Sequence, residues 1–228
     1  MLSSGRCANS SMGIRENINR IKKEIPEEVT LLAATKDRTV EEIKEAIKSG
    51  IAVIGENYVQ EAEKKYAALK NKAAFHFIGR LQKNKIKKVL EICSLIQSVD
   101  SAGLAEEMDK KAANKADILL QVNIGKEKTK GGILPGNLVS EIKKISKLHN
   151  IRIKGLMCIE PYSENPEDAR PYFKEMKRLF DAVKKQGIPG VEMKILSMGM
   201  SDTYRIAVEE GSTLVRIGTA IFGERKTI

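Results

Sequence analysis

Short continuous apolar runs alternate along this chain with stretches in which apolar residues recur every third or fourth position. The first pattern marks strands covered on both faces, the second amphipathic helices. Ile14, Ile18, Ile21 and Ile25 predict an opening helix from Ser11 to Glu24, closed by Pro26. VTLLAAT from Val29 to Thr35 then reads as a buried strand. Thr39 and Glu42 have the spacing of a capping box for a helix whose inner stripe is Val40, Ile43, Ala46 and Ile47, ending before Gly50.

The same strand, turn and helix recur. IAVIG from Ile51 is the second strand, with a helix from about Tyr58 to Lys70, and FHFIG from Phe75 is the third, with a short helix through Ile86, Val89, Leu90 and Cys93. LIQSV from Leu95 is followed by a helix starting at Ser101, and DILLQVNI from Asp117 by one near Pro135. IRIKGLM from Ile151 precedes a long helix from Asn165-Pro166 to Gln186. EMKILSM from Glu192 precedes a helix from Ser201 to Glu210 stopped by Gly211, and TLVRIG from Thr213 is the eighth strand. Eight strands alternating with helices, without a linker or composition break, predict one α/β domain over residues 1–228, a (β/α)8 TIM barrel rather than a doubly wound open sheet. Only residues 219–228 follow the last strand, too few for a full closing helix, so the extra helix at 11–24 is expected to cover that side.

Composition narrows the function. The 228 residues are 42% hydrophobic and 31% charged, as in a folded chain, and no apolar stretch is long enough to span a membrane. The opening MLSSGRCANSSM has no signal-peptide character, so a cytoplasmic location is expected. Cys7, Cys93 and Cys158 fit neither a disulfide framework nor a CxxC pair, and with His76 and His149 the only histidines a multi-histidine metal site is excluded. The net charge of +10 and the run RLQKNKIKK, with Arg80, Lys83, Lys85, Lys87 and Lys88, raise the question of nucleic acid. Aromatic residues are only 4% and there is no tryptophan, so stacking platforms are scarce, and the run reads as a solvated helix face.

In a barrel of this kind functional groups gather at the C-terminal ends of the strands. Lys36 follows the first strand, where its amine emerges at the mouth partly removed from water, suited to a Schiff base with a carbonyl or simply snorkelling to solvent. LSMGMSDTY from Leu196, and Gly218-Thr219 after the eighth strand, are small and hydroxyl-bearing turns in the two loops that form the usual phosphate cup. No GxxxxGK[ST] motif is present, so this is not a P-loop site. Arg216 interrupts an apolar strand and needs a defined acceptor, either a carboxylate such as Glu56 or a ligand atom. Lysine, phosphate cup and arginine suit pyridoxal 5′-phosphate (PLP); the lysine and the cup equally suit a sugar-phosphate aldolase.

GENYVQE from Gly55, FHFIGRLQKNK from Phe75, QVNIGKEKTKGG from Gln121, GLMCIEP from Gly155 and LSMGMSDTYRIAVEEGSTLVRIGTAIFGER from Leu196 resemble the pyridoxal phosphate homeostasis protein family, from Ile14 to Arg225. The resemblance implies a barrel like the N-terminal domain of alanine racemase, with PLP held as an aldimine of Lys36. Carried over by position, it assigns Ser197, Ser201, Gly218 and Thr219 to the phosphate, Arg216 to the pyridine nitrogen, and Asn57, His76 and Met157 to the ring. Phe75 and Arg80 depart from the family's common pattern without touching these positions. The implied role is a cofactor carrier serving apo PLP-enzymes rather than membranes or nucleic acid, expected as a monomer or a weak dimer. A second domain of the racemase kind is not expected, and Tyr58 and Tyr204 read as packing or loop residues. An amino-acid racemase or other Schiff-base enzyme is the alternative.

Overall fold

A strand needs partners for its N–H and C=O groups on both edges, and the eight strands of the computed structural model, which describes residues 13–127 and 129–224, find them in their sequence neighbours. Thr30–Ala34 (β1), Val53–Glu56 (β2), Ala74–Phe77 (β3), Leu95–Val99 (β4), Ala116–Val122 (β5), Ile151–Cys158 (β6), Val191–Ser197 (β7) and Leu214–Ile217 (β8) form a closed parallel barrel in chain order. Pairing of β1 with β8 closes the ring and sets Leu32 beside Arg216. The β7–β8 seam is the sparsest, with Ser197 beside Leu214 its registered pair. Beyond it the chain stays close, Arg216 N donating to Gly199 O at 3.1 Å.

The helices are Ile14–Glu24 (α1), Val40–Lys48 (α2), Val59–Leu69 (α3), Ile86–Ile92 (α4), Ala102–Lys111 (α5), Leu138–Ile145 (α6), Arg170–Lys185 (α7), Tyr204–Glu209 (α8) and Thr219–Phe222 (α9). The capping box at α2 forms as its spacing predicts, Thr39 Oγ1 accepting from Glu42 N at 3.2 Å and Glu42 Oε2 from Thr39 N at 2.7 Å. Residues 11 and 12, the expected start of α1, lie outside the described residues, as do Cys7 and Arg225. From α1, Ile18 and Ile21 join Val215, Ile217 and Ile221 in one buried cluster, and Asn17 Nδ2 donates to Ile221 O at 3.0 Å, so α1 covers the β8 side that α9 is too short to close.

Three expected boundaries shift for local reasons. The helix expected from Ser201 starts at Tyr204, because Met200 N donates to Thr203 Oγ1 and Thr203 N to Met200 O, both at 3.0 Å, closing a turn first. Those expected at Pro135 and Pro166 open with 3₁₀ turns, Pro135–Asn137 and Pro166–Ala169. Gly199 in the β7 loop has φ of +90°, and a Cβ there would lie 2.5 Å from Ala207 Cβ, so this turn requires glycine.

Candidate cofactor site

Lys36 is half-buried just past β1, its Nζ 5.0 Å from the centre of the Tyr58 ring. Both of its neighbours are clamped from α3. Lys65 Nζ, buried despite its charge, donates to Thr35 O at 2.6 Å, to Glu56 Oε1 at 2.9 Å and to Glu61 Oε2 at 2.8 Å. Thr35 Oγ1 also donates to Glu56 Oε1, and Glu61 Oε2 accepts from Asp37 N at 3.0 Å. Burial pushes the Glu56 carboxyl up from its ordinary value, against the opposing pull of Lys65 and Thr35. The lysine that projects into the mouth is thus fixed by an ion-pair cluster below it.

Arg216 is buried on β8. Its Nη1 donates to Ser197 Oγ at 2.7 Å and its Nη2 to Cys158 O at 2.8 Å. Ser197 Oγ in turn donates to Gln97 Oε1 at 2.7 Å, and Gln97 Nε2 meets His76 Nδ1 at 3.0 Å. Of the two acceptors the sequence offers Arg216, a carboxylate such as Glu56 or a ligand atom, Glu56 is taken by Lys65 and Thr35. The acid that acts electrostatically on Arg216 is Glu160, buried after β6, with one oxygen 2.5 Å from Thr203 Oγ1 and the other without a hydrogen-bond partner among the described residues. Burial works against the guanidinium's charge, and Glu160 opposes that effect. Burial also drives His76 down to about 4 and the Cys158 thiol up to about 12, so both are neutral at pH 7.

A cavity of about 340 Å³ opens over this pair of cations. Lys36, Asn57, Ser201, Arg216, Gly218 and Thr219 all line it, so six of the nine sequence-predicted residues come together. Ser201 Oγ accepts from Ala220 N at 3.1 Å, which ties the β7 loop to the start of α9 and leaves the hydroxyl proton to donate. Ser197, His76 and Met157 are not in the lining. Ser197 is fully buried and holds Arg216 instead of facing the cup. His76 lies behind Gln97, and Met157 packs with Leu95 and Leu119 inside the barrel. Tyr204, expected near the mouth, is buried against the outer cluster, its hydroxyl donating to Glu24 of α1.

Some groups were not anticipated. Arg38 lines the cavity and caps the C-terminal end of α9, donating from Nη1 to Phe222 O at 3.3 Å and from Nη2 to Gly223 O. Gln97 was hidden in the strand LIQSV, where a long polar side chain amid an entirely buried strand was the available signal. Gly79 permits close approach to the cavity residue Asn57, since a Cβ there would lie 2.0 Å from Asn57 O. The donor set comprises an amine, a buried guanidinium that has five N–H groups and spends two on the wall, and two hydroxyls beside a glycine turn. It suits an anionic carbonyl compound that carries a further hydrogen-bond acceptor, and PLP has an aldehyde, a phosphate and a ring nitrogen.

The family described as alanine racemase, N-terminal domain, matches residues 11–226, which agrees with a barrel of that class. The pyridoxal phosphate homeostasis protein of Aquifex aeolicus is 47% identical over 200 residues, spanning 86% of this chain and 87% of its own. That of Pasteurella multocida is 37% identical over 230 residues, spanning 94% and 98%. PipY of Synechococcus elongatus, 34% identical and covered over 92% of this chain and 100% of its own, has been solved without PLP (TM-score 0.87) and with PLP bound (0.84). Alanine racemase of Clostridium difficile, with cycloserine, shares the fold at TM-score 0.78 and 17% identity, over 94% of this chain and 60% of its own. This chain belongs to the pyridoxal phosphate homeostasis protein family.

Proposed function

We propose that this chain binds PLP in the cavity lined by Lys36 and Arg216 and takes part in its homeostasis, holding the cofactor rather than turning over a substrate with it. The observation that carries this reading is the convergence of Lys36, Arg216, Ser201, Gly218 and Thr219 on one cavity, and PLP bound to PipY supports it. When bound, the cofactor supplies an aldehyde, which joins an amine as a C=N bond with loss of water, and a ring able to withdraw electrons. Lys36 Nζ is the amine. Its clamped neighbours Thr35 and Asp37 aim it, Ser201 and Thr219 with the Gly218 turn hold the phosphate, and Asn57 borders the ring.

Arg216 limits the chemistry. A guanidinium donates and never accepts, so a ring nitrogen facing it stays unprotonated, and the electron sink that drives carbanion chemistry is weakened. This argues for retention over turnover, and apo PLP-enzymes are the natural recipients of a held cofactor. One observation favours a second reading, an amino-acid racemase or other Schiff-base enzyme: Tyr58 is half-exposed beside Lys36 Nζ and carries a hydroxyl at the mouth.

The test is the absorption spectrum of PLP-loaded protein, with borohydride trapping and mass measurement, in the native chain and in Lys36→Ala. Loss of both the imine band and the trapped adduct in Lys36→Ala is expected. A native spectrum identical to free PLP sinks the proposal. Racemisation at ordinary enzyme rates, lost in Tyr58→Phe, would favour the second reading.

A further inference from the structure

The basic run RLQKNKIKK does not form the single solvated helix face that its spacing suggests. The 3₁₀ turn Lys83–Lys85 divides it. Lys88, on α4, pairs with Glu91 at 3.0 Å and Glu63 at 3.6 Å, and Lys87 borders a separate hollow. Arg80, Lys83 and Lys85 turn instead into a groove of about 950 Å³ beside the barrel mouth. Among the described residues none of these three forms an ion pair, whereas Lys110 and Lys130 nearby pair with Glu107 and Glu127 at 3.1 and 2.7 Å. The one acid among the groove's lining residues is Asp100, which accepts from Ser101 Oγ at 3.1 Å.

The groove is concave and has the volume of a small-molecule site, with Phe77, Leu81 and Leu104 packed behind a wall more polar than apolar. Arg80, Lys83 and Lys85 repel one another across the groove, eased at Lys83 by the more distant Glu107, and an anion would relieve that repulsion. The α3 first turn, which no side chain caps, adds backbone N–H groups at the same wall. Asn57 borders both groove and cavity, so the two are neighbours with separate charge sets.

We infer that this groove is a second anion site, distinct from the cavity lined by Lys36 and Arg216, which binds a phosphorylated small molecule through Arg80, Lys83 and Lys85. Concavity favours such a molecule over an acidic protein face, which needs none. The site stands whether or not PLP fills the cavity.

Inorganic pyrophosphate is the probe, titrated calorimetrically into the full chain at fixed ionic strength. Saturable binding is expected, weaker by about tenfold or more when Arg80→Glu, Lys83→Glu and Lys85→Glu are combined, and kept by Lys83→Arg with Lys85→Arg. The charge-reversed chain should still take up PLP with its native spectrum, which shows that it folds, and Lys36→Ala should still bind pyrophosphate. Ser201→Ala with Thr219→Val should leave pyrophosphate binding unchanged; its loss there would move the anion into the cavity and overturn the inference. No saturable binding, binding indifferent to the three reversals, or tighter binding of a hexaglutamate peptide than of pyrophosphate would each overturn it as well.

Discussion

Arg216 on β8 donates to the hydroxyl of Ser197 on β7 at 2.7 Å, and that bond sets the direction of each proton behind it. Because a guanidinium only donates, Ser197 Oγ accepts and sends its own proton to Gln97 Oε1. The Gln97 NH₂ then faces His76 Nδ1, which must accept, so the imidazole proton sits on Nε2. Side chains from β8, β7, β4 and β3 form one polar line across the barrel. Arg216 reaches the cavity from the end of that line, positioned by neutral groups rather than by a carboxylate.

Gln97 is the joint of this line. Gln97→Leu leaves the Ser197 O–H without an acceptor and His76 Nδ1 without a donor, both buried, at about 1–3 kcal/mol each. A loss of about 3 kcal/mol in urea unfolding is expected. Gln97→Glu keeps the acceptor for Ser197, and with the imidazole proton moved to Nδ1 it can also accept from His76, so it should cost less than Leu and raise the His76 pKa in an NMR titration. Equal losses in the two variants would show that volume, not the directed bonds, is what matters at this position.

The parts of the site that depend on chain-local pattern were legible in the sequence. Lys36 sits one residue past a continuous apolar run, and Ser201, Gly218 and Thr219 lie in turns after strands, so the barrel rule alone brings them to one end. Gln97 and Ser197 are 100 residues apart, and nothing local indicates that closure will place them face to face. Lys65 was opaque for another reason. It follows Lys64 in a charged stretch, and only the packing of α3 against the β1 loop buries one of two adjacent lysines and exposes the other. The same limit leaves the acceptor of Arg216 open between a carboxylate such as Glu56 and a ligand atom, since the sequence does not show that Glu56 already has a cation.

Lys65→Met tests the clamp. It leaves Glu56 buried without its cation, and breaking one side of a buried pair costs about 3–5 kcal/mol. Lys65→Met with Glu56→Gln removes the stranded charge and should recover part of that loss, as read from urea midpoints. Both should weaken PLP uptake, because Thr35 O and Glu61 lose the ammonium that holds the Lys36 turn. Stability restored with uptake still impaired would assign Lys65 a positioning role, whereas native uptake in the double variant would remove it.

Gly79→Ala is expected to be costly out of proportion to one methyl. The new Cβ would meet the Asn57 carbonyl oxygen at 2.0 Å, a backbone atom with no rotamer to yield, so the strand ends must part. A loss of about 2 kcal/mol or more is expected, with weaker PLP uptake because Asn57 moves. Gly103→Ala, where a Cβ meets nothing within 4 Å, is the control and should be close to neutral.

His76 should make stability depend on pH. Burial lowers its pKa from 6.5 to about 4, so between those values the unfolded chain takes up a proton that the folded chain refuses. The unfolded state therefore binds more protons in this window, and stability rises with pH across it. The contribution is fully present above pH 6.5 and is lost as pH falls toward 4, amounting to about 3 kcal/mol. Carboxylates titrate over part of the same range, so the quantity to measure is the difference between native protein and His76→Gln, whose amide is uncharged throughout and can still accept from Gln97. Urea unfolding at several pH values between 7.5 and 4.5 should show the native advantage shrinking as pH falls. A difference that stays level, or grows toward acid, would mean that the buried imidazole takes its proton without breaking the line to Arg216.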